Sequence, residues 1–260
     1  MANPTYSPQN WAARALSNAR KTVDGAISDP TGQRVSDYQE PFTTLVGAGN
    51  HALADEGSYF TICNATPGTG IAAGATVTAF SNTTPYLIIQ NNDSAKSIYL
   101  DYIRLTHSAA YTAATSLHAT FAIDTINTRY TSGATMIVNA AGATGAYISS
   151  PRSSQTAPAT VFAFAGPITA AAASSNQRII VPDAYLRTVI PVVGDSFTFK
   201  FGGVEGAIGG QPLNGTAPSQ FLVPVAPAII DPGHALIVCL WAPASTAGGS
   251  FEPEIGGWLR

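Results

Sequence analysis

Apolar positions recur along this chain with two different periods, and the change falls near residue 41. Between Ser7 and Gly25 the period is that of a helix. At 100° per residue, Trp11, Ala12, Ala15, Leu16, Ala19 and Val23 share one arc, and Arg14, Ser17, Asn18, Arg20, Lys21 and Asp24 lie opposite. The spacing predicts an amphipathic helix over about 8–24. Ser7 can cap it, Pro8 suits its first turn and Gly25 suits its end. The next stretch, DPTGQRVSDYQEP, is polar and rich in turn formers.

From Phe42 onward the period shortens to two. The candidate strands are FTTLV, YFTIC, TVTAF, YLIIQ, SIYLDYIRL, LHATFAIDTINTRY, TMIVN, TVFAF, RIIV, YLRTVIPVV and FTFKF, separated by Gly, Pro, Asn and Ser. In LHATFAIDTINTRY, Leu117, Ala119, Phe121 and Ile123 share one face, with His118, Thr120 and Asp124 on the other. FTFKF sets Phe197, Phe199 and Phe201 together. YLIIQ and SIYLDYIRL, joined by NNDSAK, read as a hairpin. Near the C-terminus VPVAPAII reads as an extended path at a sheet edge, because proline cannot donate into a central ladder. DPGH reads as a turn carrying His234, and ALIVCLWA as a strand buried on both faces.

Many short strands with turn signals between them predict an all-β fold, a two-sheet jelly-roll-like β-sandwich. An N-terminal arm, residues 1–40, precedes a single sandwich domain over 41–260. A long Ala/Ser/Thr/Gly-rich loop region is expected over about 139–177.

Composition sharpens this picture at one point. Only 10% of the residues are charged while 45% are hydrophobic, against about 25% charged in ordinary soluble domains. Of the 12 basic and 15 acidic residues, eight (Arg14, Arg20, Lys21, Asp24, Asp29, Arg34, Asp37 and Glu40) lie in the arm. An exterior so poor in charge points to a surface covered by other protein. No basic run exceeds Arg20-Lys21, so no nucleic-acid partner is expected. No apolar run reaches the length of a membrane helix, and the first residues lack a secretory pattern, so no membrane partner is expected either. The sequons at Asn64, Asn82, Asn92 and Asn214 then read as Asn/Thr-rich turns. Cys63 and Cys239 read as two buried thiols, with a disulfide left open to geometry.

Candidate chemistry is sparse. His51, His107, His118 and His234 show no metal-ligand spacing, and no nucleophile elbow or Walker loop occurs. GAGNHA, residues 47–52, matches a dinucleotide fingerprint in letters, but a strand-like run follows where the phosphate needs a helix N-terminus. PGTGIAAGA, residues 67–75, is a glycine-rich loop without lysine. Asp101, Asp124, Glu252 and Glu254 are the acids that a β-sandwich glycosidase or lyase would have to bring into one cleft. Trp11, Trp241 and Trp258 do not read as a sugar platform. No catalytic, cofactor-binding or metal-binding residue is assigned, no cofactor is expected, and the chain reads as non-enzymatic.

The arm carries the remaining signal. Ordering its forty-odd residues costs on the order of 1–2 kcal/mol each in backbone entropy, which a polar segment does not recover by packing on itself. Its apolar stripe (Trp11, Ala15, Leu16, Ala19 and Val23) is therefore the candidate assembly interface, docking on its own sandwich or on a neighbouring subunit.

An N-terminal arm followed by a Thr/Ala/Gly-rich, charge-poor β-domain that closes with PAIIDPGHALIVCLWAPASTAGGSFEPEIGGWLR resembles bacteriophage virion proteins, in particular the closing strands of capsid-associated jelly rolls. The resemblance implies a decoration, cement or minor head protein on the capsid surface, made in the host cytoplasm. Its partners would be capsid protein subunits and copies of itself, in a homo-oligomer such as a trimer. The two rival readings are a receptor- or glycan-binding spike module and a β-sandwich carbohydrate-active enzyme.

Overall fold

In the computed structural model, the described residues run from 53 to 260 apart from 55, 65, 75–76, 112–115, 134, 139–145, 150–157, 188–190, 203–217 and 245–247. They belong to the unit Asn50–Arg260. The expected helix at 8–24, the interface residues Trp11, Ala15, Leu16, Ala19 and Val23, the FTTLV strand, GAGNHA and His51 lie outside the described residues.

What is described is almost wholly β. The strands are β1 (Tyr59–Asn64), β2 (Ile71–Ala72), β3 (Leu87–Asn91), β4 (Ile98–Ala109), β5 (Leu117–Asp124), β6 (Tyr130–Ser132), β7 (Thr135–Val138) and β8 (Ala146–Ser149). They continue with β9 (Val161–Ala165), β10 (Thr169–Ala170), β11 (Arg178–Arg187), β12 (Ser196–Phe201), β13 (Gln220–Val225), β14 (Ile229–Ile230), β15 (Ala235–Trp241) and β16 (Ser250–Leu259). An eight-stranded sheet has the order β13-β12-β4-β16-β1-β8, with β14 added to β4 and β2 to β16; a six-stranded sheet has the order β11-β5-β15-β3-β9-β7. β6 and β10 form a separate two-stranded ribbon.

The two large sheets pack face to face. Phe197, Phe199 and Phe201 all point inward from β12, as their period-two spacing predicts, and are buried. Phe199 meets Phe121 of β5 edge-on at 4.7 Å between ring centroids, and Tyr86 meets Phe251 of β16 at 5.7 Å. Ile62, Leu87, Ile89, Ile103, Leu105, Leu236, Val238 and Ile255 complete the same core. Edge strands also correspond, β11 lying near β13 and β7 near β8.

The C-terminal expectations hold. β15 is buried at six successive positions, Ala235 to Leu240, between β3 and β5. β13, which carries Pro224, occupies the sheet edge. Asp231 to His234 is a turn in which the His234 amide donates to the Asp231 carbonyl at 3.0 Å, and Gly233 takes the positive φ of 76° that favours glycine.

Other expectations do not hold. YLIIQ and SIYLDYIRL are not a hairpin: β3 pairs with β15 and β9, whereas β4 pairs with β16, β12 and β14 in the other sheet. The NNDSAK turn carries the chain across the sandwich instead. Asn91 holds its far side, donating from Nδ2 to the carbonyls of Lys96 and Ile230, both at 2.8 Å. Asp93 accepts the amides of Ala95 and Lys96 at 2.9 Å, and these bonds hold its carboxyl below the usual range. Alternation reports which face of a strand is buried but not which strand lies beside it. The described part of TVTAF, residues 77–80, forms no strand either; Val77 makes an isolated bridge to Trp241. RIIV and YLR merge into one strand, β11, whose register shifts against β5 at several points. The region 139–177 is not one long loop, because β8, β9 and β10 form within it and β9 is an interior strand of the six-stranded sheet.

Candidate functional site: the two outer faces of the sandwich

Each sheet turns a second face away from the core, and the two faces differ. On the eight-stranded sheet the outward positions of β4, β16, β1 and β12 carry Tyr99, Tyr102, Arg104, Thr106, Glu252, Glu254, Trp258, Tyr59, Thr61 and Lys200. A register shift opposes Gly256 to Tyr102 and Gly257 to Leu100, so the bulge falls at Asp101. Such a bulge re-aims a side chain, and here Asp101 joins the outward set. Its Oδ2 accepts a hydrogen bond from Tyr59 Oη at 3.0 Å, and its Oδ1 pairs with Lys200 Nζ. One strand-step away, Glu254 accepts from Tyr102 Oη and pairs with Arg104. Gly256 leaves room for this arrangement, since a Cβ there would strike the Tyr102 ring and Tyr59 Oη.

Burial and the neighbouring Asp101 carboxylate push the Tyr59 phenol well above its ordinary value. Burial and the hydrogen bond to Glu254 do the same for Tyr102. Both phenols therefore remain donors. Trp258 stacks on Tyr99 with 5.6 Å between centroids and 7° between planes. Beside these lies a groove of about 150 Å³ lined by Cys63, Asn64, Pro67, Arg104, Thr106, Glu252, Pro253 and Glu254. Burial and Glu254 raise the Cys63 thiol, so it is a poor nucleophile.

The outer face of the six-stranded sheet is covered. Ile88, Ala122, Phe164, Ile168, Ala170, Ala235 and Ile237 form a second apolar cluster there, with Phe80, Phe162 and Tyr130 packed on it. Tyr130 of the β6–β10 ribbon stacks on Phe164 at 4.0 Å. Arg129 anchors the cover and is fully buried. Its Nε donates to the Ala171 carbonyl at 3.1 Å, its Nη2 to the Asn82 carbonyl at 2.6 Å, and its Nη1 to Asp124 Oδ2. Burial alone would raise the Asp124 carboxyl, but hydrogen bonds from Ser174 and the Arg129 guanidinium outweigh it and hold the group below its ordinary value.

Next to this cover, His118 of β5 lies between three groups. Its Nδ1 is 2.8 Å from Asp183 Oδ1, its Nε2 is 3.1 Å from Ser116 Oγ, and its ring stacks on Trp241 at 4.2 Å. Trp241 Nε1 donates to Thr120 Oγ1 at 2.9 Å, and Thr120 Oγ1 donates to the Pro182 carbonyl at 2.7 Å. The face of β5 expected to be polar is thus buried as well: His118, Thr120 and Asp124 are all covered.

The sequence candidates sort accordingly. Asp101, Glu252 and Glu254 share the outer face of the eight-stranded sheet, while Asp124 lies in the other sheet with Arg129. Asp101 pairs with Lys200, and Glu254 pairs with Arg104. His107 packs in the core against Tyr111 and Phe251. Cys63 and Cys239 are free thiols on different sheets, and Cys239 is buried. In the glycine-rich loop, Gly70 and Gly74 lie against neighbouring chain. A Cβ on Gly70 would overlap the Ser108 hydroxyl, and one on Gly248 would overlap the Gly74 carbonyl. The sequence reading missed Ser116, Asp183 and Arg129; only the two-residue spacing of Ser116 and His118 could have flagged the first. Among the described residues, no three His, Cys, Asp or Glu side chains gather as a metal site. Comparison with family models, with curated proteins and with solved structures finds no match to this chain.

Proposed function

We propose that this chain is a virion structural protein, built on a jelly roll with insertions, that binds a capsid lattice through its surfaces. The pairing pattern carries the topological part. Set aside the insertions, and eight strands remain: β1, β3, β4, β5, β11, β12, β15 and β16. The first pairs with the last (β1·β16), the second with the seventh (β3·β15), the third with the sixth (β4·β12) and the fourth with the fifth (β5·β11), all antiparallel. That is one long hairpin rolled into two sheets, an arrangement shared by capsid and lectin domains. Fold alone does not assign a function. The lattice role rests in addition on the 10% charged composition and on the charge concentrated in the arm. A surface with few charges is stable in isolation only at low concentration, and copies or companions would cover it.

Light scattering on the full chain after size-exclusion chromatography tests the reading. Self-association that vanishes when residues 1–40 are deleted, with the sandwich still folded, is the expected result. A highly soluble monomer of the full chain, unchanged by the deletion, overturns it.

A second reading is favoured by one observation: Tyr59, Tyr99, Tyr102 and Trp258 gather with Asp101 and Glu254 on one sheet face. Aromatic and carboxylate groups side by side suit a receptor- or glycan-binding module. A glycan array with no hits removes this reading without touching the first.

A further inference from the structure

We propose that Ser116, His118 and Asp183 form an acyl-transfer site on the six-stranded sheet, with carboxylic esters as the substrate class. This inference does not rest on the lattice role. The geometry supplies a nucleophile, a base and a carboxylate that orients the base. A single tautomer of His118 satisfies both contacts: Nδ1–H donates to Asp183 Oδ1 at 2.8 Å, which turns the Nε2 lone pair toward Ser116 Oγ at 3.1 Å. A nucleophile, a base within hydrogen-bond reach and a carboxylate that orients the base are recognised by such geometry and not by chain order. The imidazole plane is fixed as well. Trp241 stacks against it with 16° between planes, and Trp241 is itself tied to Thr120.

The imidazole is buried, and its two partners lie nearer to solvent. The His118 side chain is 11% exposed, and that of Asp183 is 46% exposed. Ser116 is half-buried and Asp183 is exposed on the edge strand β11, so the site fits an ester presented on a surface more than one swallowed in a deep cavity. In the step, Ser116 Oγ attacks the ester carbonyl carbon and its proton passes to His118 Nε2. The tetrahedral intermediate collapses to acyl-Ser116 as the alcohol leaves with that proton. Water then attacks the acyl group with the same base, and the carboxylic acid departs as Ser116 regains its hydrogen. Asp183 is a positioning residue: it stabilises the imidazolium formed at each stage. Its partial exposure to water weakens that support, so slow turnover is expected.

The test uses the full chain with a fluorophosphonate probe at pH 8, followed by peptide mapping. Labelling at Ser116 is expected. Ser116→Ala, which removes one half-buried hydroxyl, abolishes both the label and hydrolysis of p-nitrophenyl acetate. His118→Ala slows labelling by about 100-fold or more, with His118→Gln as the second variant should loss of the stacked ring unfold the edge. Asp183→Asn changes the pH dependence of labelling, a readout that a purely structural role would leave unmoved. Absence of label at Ser116 in the folded protein, or an unchanged labelling rate without the histidine, overturns the proposal. So does p-nitrophenyl acetate hydrolysis that persists in Ser116→Ala.

Discussion

The two outer faces of the sandwich begin from the same local pattern and end in opposite states. On the eight-stranded sheet the outward charges pair across neighbouring strands, Asp101 with Lys200 and Glu254 with Arg104, and the second pair stays partly exposed. On the six-stranded sheet a ribbon and loops lie over the outward side chains, and the ion pair Asp124–Arg129 is buried beneath them. The same chemical pair is therefore worth different amounts in the two places. An exposed pair gains little against water and side-chain entropy. A buried pair contributes little net stability when intact, but losing one partner strands a charge.

Substitutions sharpen that contrast. The largest effect is expected from Arg129→Met. It leaves Asp124 buried without its cation and frees the carbonyls of Asn82 and Ala171, at a cost of about 3–5 kcal/mol. Chemical denaturation measures it, and a loss under 1 kcal/mol would remove the distinction between the faces. A second, smaller effect concerns acid. The Asp124 carboxyl is held below its unfolded value of about 3.9. The folded state therefore binds fewer protons than the unfolded state in that range. Its contribution is complete above the unfolded value and is lost as pH falls through the folded one. In Arg129→Met the carboxyl rises, and the acid unfolding limb should move to higher pH. An unshifted limb would show that Ser174 alone holds the carboxylate. The smallest effect is expected from Arg104→Ala, at about 0.2–1 kcal/mol and further reduced by salt. A loss comparable to that of Arg129→Met would mean that the outer face of the eight-stranded sheet is covered in solution, by a second copy or another partner.

Where sequence reasoning succeeded, the reason is local. Phe197, Phe199 and Phe201 alternate with polar neighbours, and a strand has only two faces, so the inward set follows directly. Six successive apolar positions in β15 announce a strand covered on both sides. Proline at 224 keeps β13 at an edge. Asp231-Pro232-Gly233 fixes a turn because glycine tolerates the positive φ that the turn requires.

Where it fell short, the missing information was tertiary. β5 alternates cleanly, yet both its faces are buried, because segments 50 to 65 residues away fold over His118, Thr120 and Asp124. Nothing between Leu117 and Asp124 encodes that cover. The turn between β3 and β4 has the composition of a hairpin turn and instead crosses between sheets. Its fate is decided by β15 and β16, which arrive about 150 residues later and take the places on either side.

By itself, then, the amino-acid order determined the all-β class, the inward faces of the strands and the turns that separate them, since each depends on a few neighbouring residues. The folded arrangement alone decided which strands are partners, which outward face is sealed and which polar side chains meet. Asp101 reaches Lys200, and His118 reaches Asp183, only through pairing between distant strands. Hydrogen bonding along a strand edge is nearly the same for every sequence. The choice of partner is therefore made by how whole sheets bury their apolar faces against one another.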